Sequence, residues 1–160
     1  MPDVFKNTEN FIAINHEWLI RLKEEAHKSS KRLSRLCMHT STDDRVQEML
    51  IAFCRDCLIP LNQNFGKSES LIVIEGEMLL ILFDEKGNVV NRIKMGTRDS
   101  GRPFMYRLCS ASWHTMIPLS ECVIVHECIE GPFVKSQTPL PAWIPTETAA
   151  LKEYLTSLMA

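Results

Sequence analysis

Glu69 and His114 are the side chains whose types and settings in this sequence point most directly to chemistry. Glu69 precedes the apolar run Ser70 to Ile74, which places a carboxylate at the start of a buried strand, where it can orient or exchange a proton. His114 follows Trp113 inside an apolar stretch, where an imidazole serves as general base, metal donor or simply a hydrogen-bonded core residue. The plainer reading of Glu69 is an exposed carboxylate at a strand edge. Just upstream, Asn62 and Asn64 are amides, which both donate and accept hydrogen bonds and so suit a hydroxyl-rich ligand. Of the remaining histidines, His16 and His27 read as surface residues of a helix, and the facing of His126 is open.

Six cysteines invite a redox or zinc reading. Cys54 and Cys57 have CxxC spacing, yet Pro60 follows almost at once, where a redox pair should open a helix, and no second CxxC supplies further zinc ligands. With no export signal and a chain too large to need a disulfide framework, all six are expected to be reduced thiols, Cys54 and Cys57 included.

The elements that must hold these groups are mainly strands. Asn15 is expected to cap a helix whose Trp18, Leu19, Leu22 and Ala26 share one face, ending near Ser29. The basic stretch Lys31 to Arg35 reads as a solvated turn in preference to a phosphate or carboxylate site. Val46 to Ile59 fits a capped helix or a buried strand equally well. Downstream, 70–74, 78–83, 89–95, 106–108, 113–117 and 122–129 form a series of short strands split by Gly, Ser, Pro and Asp, the pattern of an antiparallel sandwich or barrel. Gly96 to Pro103 reads as a mobile loop near a barrel mouth. Prolines 139, 141 and 145 predict an extended wrap, and a terminal helix from Thr146 puts Leu151, Tyr154, Leu155 and Leu158 on one face.

A length of 160 residues suits one domain with its own core. The expected parts are a helical segment at 1–30, a barrel at 31–135, and a wrap with a terminal helix at 136–160. A net charge of −2 argues against binding nucleic acid through phosphate neutralisation. With no export signal and no apolar stretch long enough to span a bilayer, the sequence reads as cytoplasmic, without membrane insertion.

Asn62, Asn64, Glu69 and Gly76 fall in the frame of the first cupin motif, His-x-His, three or four residues, Glu, six residues, Gly, with asparagines at both histidine positions. Cys109 to His114 falls in the frame of the second, Pro-x-Gly-x-x-His, keeping only the histidine. Arg35 to His39, Val46 to Leu50, Cys57 to Pro60, Lys67 to Glu69, Trp113 to Thr115 and Glu130 to Phe133 follow the order seen in the WbuC family, which the chain resembles over most of its length. The resemblance implies a mainly β cupin fold, a small jelly-roll barrel with an N-terminal and a short C-terminal helix. It also implies a role on a carbohydrate-related small molecule in bacterial surface polysaccharide (lipopolysaccharide, O-antigen) synthesis. Glu69 and His114 would be the catalytic pair, with Arg35, His39, Asn62 and Asn64 binding ligand. Where a metal-binding relative holds its ion, Glu69 and His114 remain as donors beside Asn62 and Asn64. The expectation is thus no cofactor, or one weakly bound divalent ion (Zn, Fe, Mn or Ni), completed by Cys57 or Cys109 if a thiol replaces a lost ligand. The alternative is a non-catalytic binding or oligomerising protein, a homodimer among the options.

Overall fold

Strands that cover a core on both faces cannot show the polar–apolar alternation of a half-exposed sheet, and that governs much of this chain. In the computed structural model, which describes residues 4–57, 59, 61, 63–64, 66–110, 112–134 and 140–159, two sheets face each other. The larger runs in the order β1 (Val4–Lys6), β2 (Leu33–Cys37), β3 (Val46–Cys54), β9 (Cys122–Glu130), β4 (Glu69–Glu75), β7 (Met105–Leu108). The smaller runs β6 (Val89–Met95), β5 (Met78–Phe83), β8 (Trp113–Pro118). Apart from the parallel β1–β2 pair, every ladder is antiparallel.

Side-chain parity sorts the core into three layers. Met49, Ile51 and Phe53 of β3, Leu71 and Val73 of β4, Leu80 of β5, Met116 of β8 and Val123 and Val125 of β9 pack between the sheets. Their neighbours Leu50, Ala52 and Cys54, with Leu36 and Ile124, pack outward against α1 (His16–Lys28) through Leu22 and Ala26. On the other side, Leu79, Ile81, Phe83, Trp113 and Ile117 pack outward against α2 (Thr148–Ser157) and the segment before it, through Leu155, Leu158 and Ile144. This is why Val46 to Ile59 gives no clear period: β3 is buried on both faces. It is also why His114, of even parity, points inward with Met116.

The capped helix predicted at Asn15 is present, with its side chain accepting from the Trp18 N–H at 3.3 Å. Asn15→Ala is expected to cost about 1 kcal/mol, measured by urea unfolding, because the first turn would lose an acceptor that water replaces only in part. The terminal helix also presents the expected face. Trp143, in the segment leading to it, rests against Phe83 and Trp113. Residues 135–139, where the first proline of the expected wrap falls, lie outside the described residues. Helix lengths and hydropathy leave none of the described helices long and apolar enough to cross a membrane.

The 96–103 segment carries a 3-10 turn at Arg98–Ser100 and the Arg102–Glu77 ion pair at 2.5 Å. Two expectations need correction. The basic stretch at Lys31 to Arg35 runs into β2 rather than remaining a solvated turn, and its alternation of half-buried and buried positions places Leu33, Arg35 and Cys37 toward the space between the sheets. The cysteines are not all reduced: Cys54 is joined not to Cys57 but to Cys122, its direct cross-strand partner across 68 residues of sequence. Strand register makes that pair, and spacing along the chain cannot show it. Gly76, in the turn from β4 to β5, meets its own requirement: its φ is +81°, and a Cβ there would lie 2.6 Å from the Cys122 carbonyl.

Candidate functional site

Because β4, β7, β8 and β9 each turn one parity inward, their polar inward residues meet in an otherwise apolar layer. Glu69 at the start of β4 is paired in register with Leu108 and with Ile129, which brings Tyr106 of β7 and Glu127 of β9 to its neighbourhood. Tyr106 donates its hydroxyl to Glu69 Oε1 at 2.7 Å, and Asn64 donates its amide to Oε2. His114 Nε2 lies 3.2 Å from Oε1, and both residues are only 2% exposed. On the far side of the ring, His114 Nδ1 lies 2.9 Å from the Ser112 carbonyl. With an acceptor at each ring nitrogen the imidazole is held doubly protonated.

The electrostatics follow from these contacts. Burial alone would raise the Glu69 carboxyl, but the His114 contact and the Tyr106 and Asn64 hydrogen bonds outweigh it and hold it below the usual carboxylate range. Burial would lower His114, yet Glu69 and the Ser112 carbonyl raise it above its ordinary value. Tyr106 is pushed well up, by burial first and the adjacent carboxylate second. For Glu127, burial and then the Glu69 charge outweigh the opposing pull of His114 and Arg35 and push it up to about 7.

A cavity of about 270 Å³ opens beside this cluster, lined by Arg35, His39, Gln47, Asn64, Lys67 and Glu127 among others. At its wall, Arg35 Nε is buried and has no hydrogen-bond partner. That is the position of a donor awaiting an acceptor, since a buried polar atom without one is costly. His39 lines the same cavity with its Nδ1 tied 3.1 Å from the backbone N and O of Glu48. Its position there extends the inward parity of Arg35 and Cys37.

Of the site residues expected from sequence, the fold brings Glu69, His114 and Asn64 into direct contact and sets Arg35 and His39 on the cavity wall. Asn62 lies outside the described residues, as does Ala111 of the second motif. Glu69 and His114 do not line the cavity; Asn64 stands between the pair and the open space. Tyr106 and Glu127 were missed. Tyr106 was in a predicted strand with nothing to mark its facing. For Glu127 a signal existed, since it shares the parity of Val123 and Val125, and an acid in an apolar register is a buried acid. His126, of the opposite parity, faces outward and lies 2.7 Å from Glu48.

The family described as "Domain of unknown function (DUF6016)" matches residues 14–95. No curated protein matches the chain. Among solved structures, protein SO0799 from Shewanella oneidensis superposes with a TM-score of 0.55 at 10% identity, over 80% of this chain and 85% of that one. The cupin domain of Cnp3 from Schizosaccharomyces pombe gives 0.50 at 6% identity, over 63% and 66%. Procruciferin, the 11S globulin of Brassica napus, gives 0.46 at 12%; this chain is similar to 21% of its length. At such identities the likeness is one of fold, and that fold is the mainly β cupin jelly roll.

A metal on the cupin pattern does not fit these residues. All of the Glu69 carboxylate's contacts are hydrogen-bond donors, His114 faces it with a proton-bearing nitrogen, and Asn64 turns its NH₂ rather than its oxygen inward. An ion needs lone pairs converging on one point, and here they are occupied by one another. Cys57 packs in the core between the sheets with its thiol pushed up to about 11 by burial, and Cys109 is exposed. Among the described residues, the one grouping of three metal-type donors is His27, Cys54 and Cys122, away from this cluster, with its two sulfurs bonded to each other.

Proposed function

The chain belongs to the DUF6016 family, and from that premise and the cupin fold we propose that it binds a carbohydrate-related small molecule in the cavity between its sheets. One observation carries the reading: the unpartnered Arg35 Nε on a cavity wall that also offers Glu127, Gln47 and Asn64. Such a wall mixes a fixed cation, an acid able to change charge near neutrality and two amides, a set suited to hydroxyls and a single acidic substituent. The volume, just below the roughly 300 Å³ at which drug-sized pockets begin, suits one sugar unit rather than a whole nucleotide sugar. The ordered segments shared with the WbuC family support a role in bacterial surface polysaccharide synthesis, with the protein in the cytoplasm.

If the bound molecule is turned over, Glu127 is the group for proton transfer. It lines the cavity and, at about 7, holds or releases a proton near neutral pH. Glu69 and His114 then act as positioning residues: they fix Asn64 on one side, and the Glu69 charge sets the proton affinity of Glu127. Without turnover, the same cavity makes a binding protein, which is the second reading.

Calorimetric titration with neutral hexoses, hexosamines and hexuronic acids tests this. Saturable binding is expected, strongest for an acidic sugar, and Arg35→Met is expected to weaken it at least about tenfold, since a charge-assisted hydrogen bond is at stake. Absence of binding across the panel, or equal affinity in the variant, would count against the proposal.

A further inference from the structure

On the outer face of the large sheet, remote from the cavity, the Cys54–Cys122 disulfide meets a histidine that is held in place for it. The register pairs Cys54 with Cys122, and the Arg55 N–H donates to the Glu121 carbonyl at 2.7 Å. That hydrogen bond marks 54/122 as a non-hydrogen-bonded pair, the kind that brings cross-strand side chains closest. His27, exposed at the end of α1, lies with Nε2 3.4 Å from Cys122 Sγ. Its ring nitrogens are not free to choose roles. Arg32 Nη2 lies 3.1 Å from Nδ1 and Nη1 donates to the His27 carbonyl at 2.9 Å. A guanidinium can only donate, so Nδ1 accepts and the proton sits on Nε2, aimed at sulfur. Arg32 is anchored in turn, its carbonyl accepting from the Cys54 N–H at 2.9 Å and its φ of 56° lying in the left-handed region. Cys54 is fully buried, whereas Cys122 is partly exposed, so one sulfur is open to attack.

This arrangement favours thiol chemistry over a metal. A metal at His27 Nε2 would need that nitrogen's lone pair and would move the proton to Nδ1, against the Arg32 guanidinium. An Nε2–H directed at sulfur instead stabilises a thiolate, as does the neighbouring positive charge.

We propose that Cys54–Cys122 is a reversible thiol–disulfide exchange site for small-molecule thiols, with the His27 Nε2–H as the hydrogen-bond donor that stabilises the departing thiolate. In the reducing direction an incoming thiolate attacks Cys122 Sγ; a mixed disulfide forms, the Sγ–Sγ bond breaks, and its electron pair leaves on Cys54. The Cys54 thiolate takes its proton from solvent, while His27, with Nε2 3.4 Å from Cys122 Sγ and within a cluster spanning 4.8 Å that includes both sulfurs, donates an N–H hydrogen bond to the thiolate without giving the proton up. A second thiol loses its proton to solvent and attacks, as a thiolate, the outer sulfur of the mixed disulfide. The external disulfide departs, and Cys122 leaves as a thiolate facing the Nε2–H. Two thiols are thereby oxidised to one disulfide and the protein disulfide is reduced to two thiols; the oxidising direction is the reverse, with a small-molecule disulfide as oxidant.

The test uses the whole protein, reduced glutathione and iodoacetamide, with adducts counted by intact mass after quenching and denaturation. The oxidised protein is expected to show four adducts, on Cys37, Cys57, Cys109 and Cys128, rising to six after glutathione in native buffer at pH 7. His27→Ala is expected to slow that rise about tenfold, and His27→Gln, which keeps a hydrogen-bond donor, to restore part of the rate. A Cys54→Ser/Cys122→Ser variant should stay at four. Opening only after denaturant, opening as fast in His27→Ala as in the unaltered chain, or a glutamine variant no faster than the alanine one would each overturn the proposal. Because His27 is exposed, circular dichroism should confirm that its variants keep the fold.

Discussion

Replacing Glu127 by glutamine should raise the stability of the protein by about 3 kcal/mol at pH 8 and leave it nearly unchanged at pH 4. The carboxyl has a folded pKa of about 7 against an ordinary 4.5, with burial as the first cause and the Glu69 charge as the second. Its folded value is therefore raised, the reverse of the usual salt-bridged acid. Below pH 4.5 the group is protonated in both states and contributes nothing. Between 4.5 and about 7 the unfolded chain releases its proton while the folded chain keeps it, so the folded state binds more protons and stability falls as pH rises. Above about 7 the loss is complete, and at 1.36 kcal/mol per pH unit it amounts to about 3 kcal/mol. At 7% exposure, solvent offers little relief. Glutamine keeps the shape without the ionisation. Urea unfolding of both proteins from pH 4 to 8 should show curves that meet at low pH and diverge through this window; parallel curves would mean that Glu127 ionises freely in the fold. A group that destabilises its own protein near neutrality is easiest to understand as one kept for the cavity it lines.

How much of this site could be read from the sequence depended on whether parity or register was needed. Glu69, Gly76 and His114 stood out because they fall in the motif frames at fixed offsets from apolar runs, and the runs from Met78 onward are marked off by clear turns, although β5 and β8, like β3, are buried on both faces. The same reasoning fell short on β3, where burial on both faces erases the alternation. It fell short around β2, where Arg32 just before the strand and Arg35 within it look alike in sequence but one grips His27 on the outer face while the other enters the core layer. Arg35 was reached only by resemblance, and its unpartnered nitrogen could not have been foreseen. Cys54 and Cys122 show the limit most plainly: the local CxxC drew attention to Cys57, while the partner was set by the pairing of β3 with β9. Contacts made by register across sixty or more residues carry no local signature.

Removing the carboxylate of Glu69 should be the most damaging single change in the core, costing about 3–5 kcal/mol near pH 5.5, the range found when one partner of a buried ion pair is deleted. Glu69→Ala leaves the His114 imidazolium without its counter-charge at 2% exposure, and leaves the Tyr106 hydroxyl and the Asn64 amide without the acceptor they share. The pH at which this shows follows from the two shifts. Glu69 has a lowered folded pKa, so its contribution is present above 4.5 and is lost as pH falls through the folded value. His114 has a raised one, so its contribution is complete below 6.5 and is lost as pH rises through the folded value. Both are in force between 4.5 and 6.5, and the deficit of the variant should be greatest there. The same substitution removes the charge that helps to raise Glu127, so the Glu127 titration should move down, a shift readable by carbon-13 NMR of the carboxyl. Glu69→Gln should cost less, since it can still accept from Tyr106. Apolar residues of similar volume at both 69 and 114 should recover much of the loss, because a buried pair roughly offsets its own desolvation. If the double variant is stable yet binds sugar acids poorly, the pair serves to position Asn64 and Glu127 rather than to hold the fold. If the double variant binds as the unaltered chain does, the pair has no part in the site.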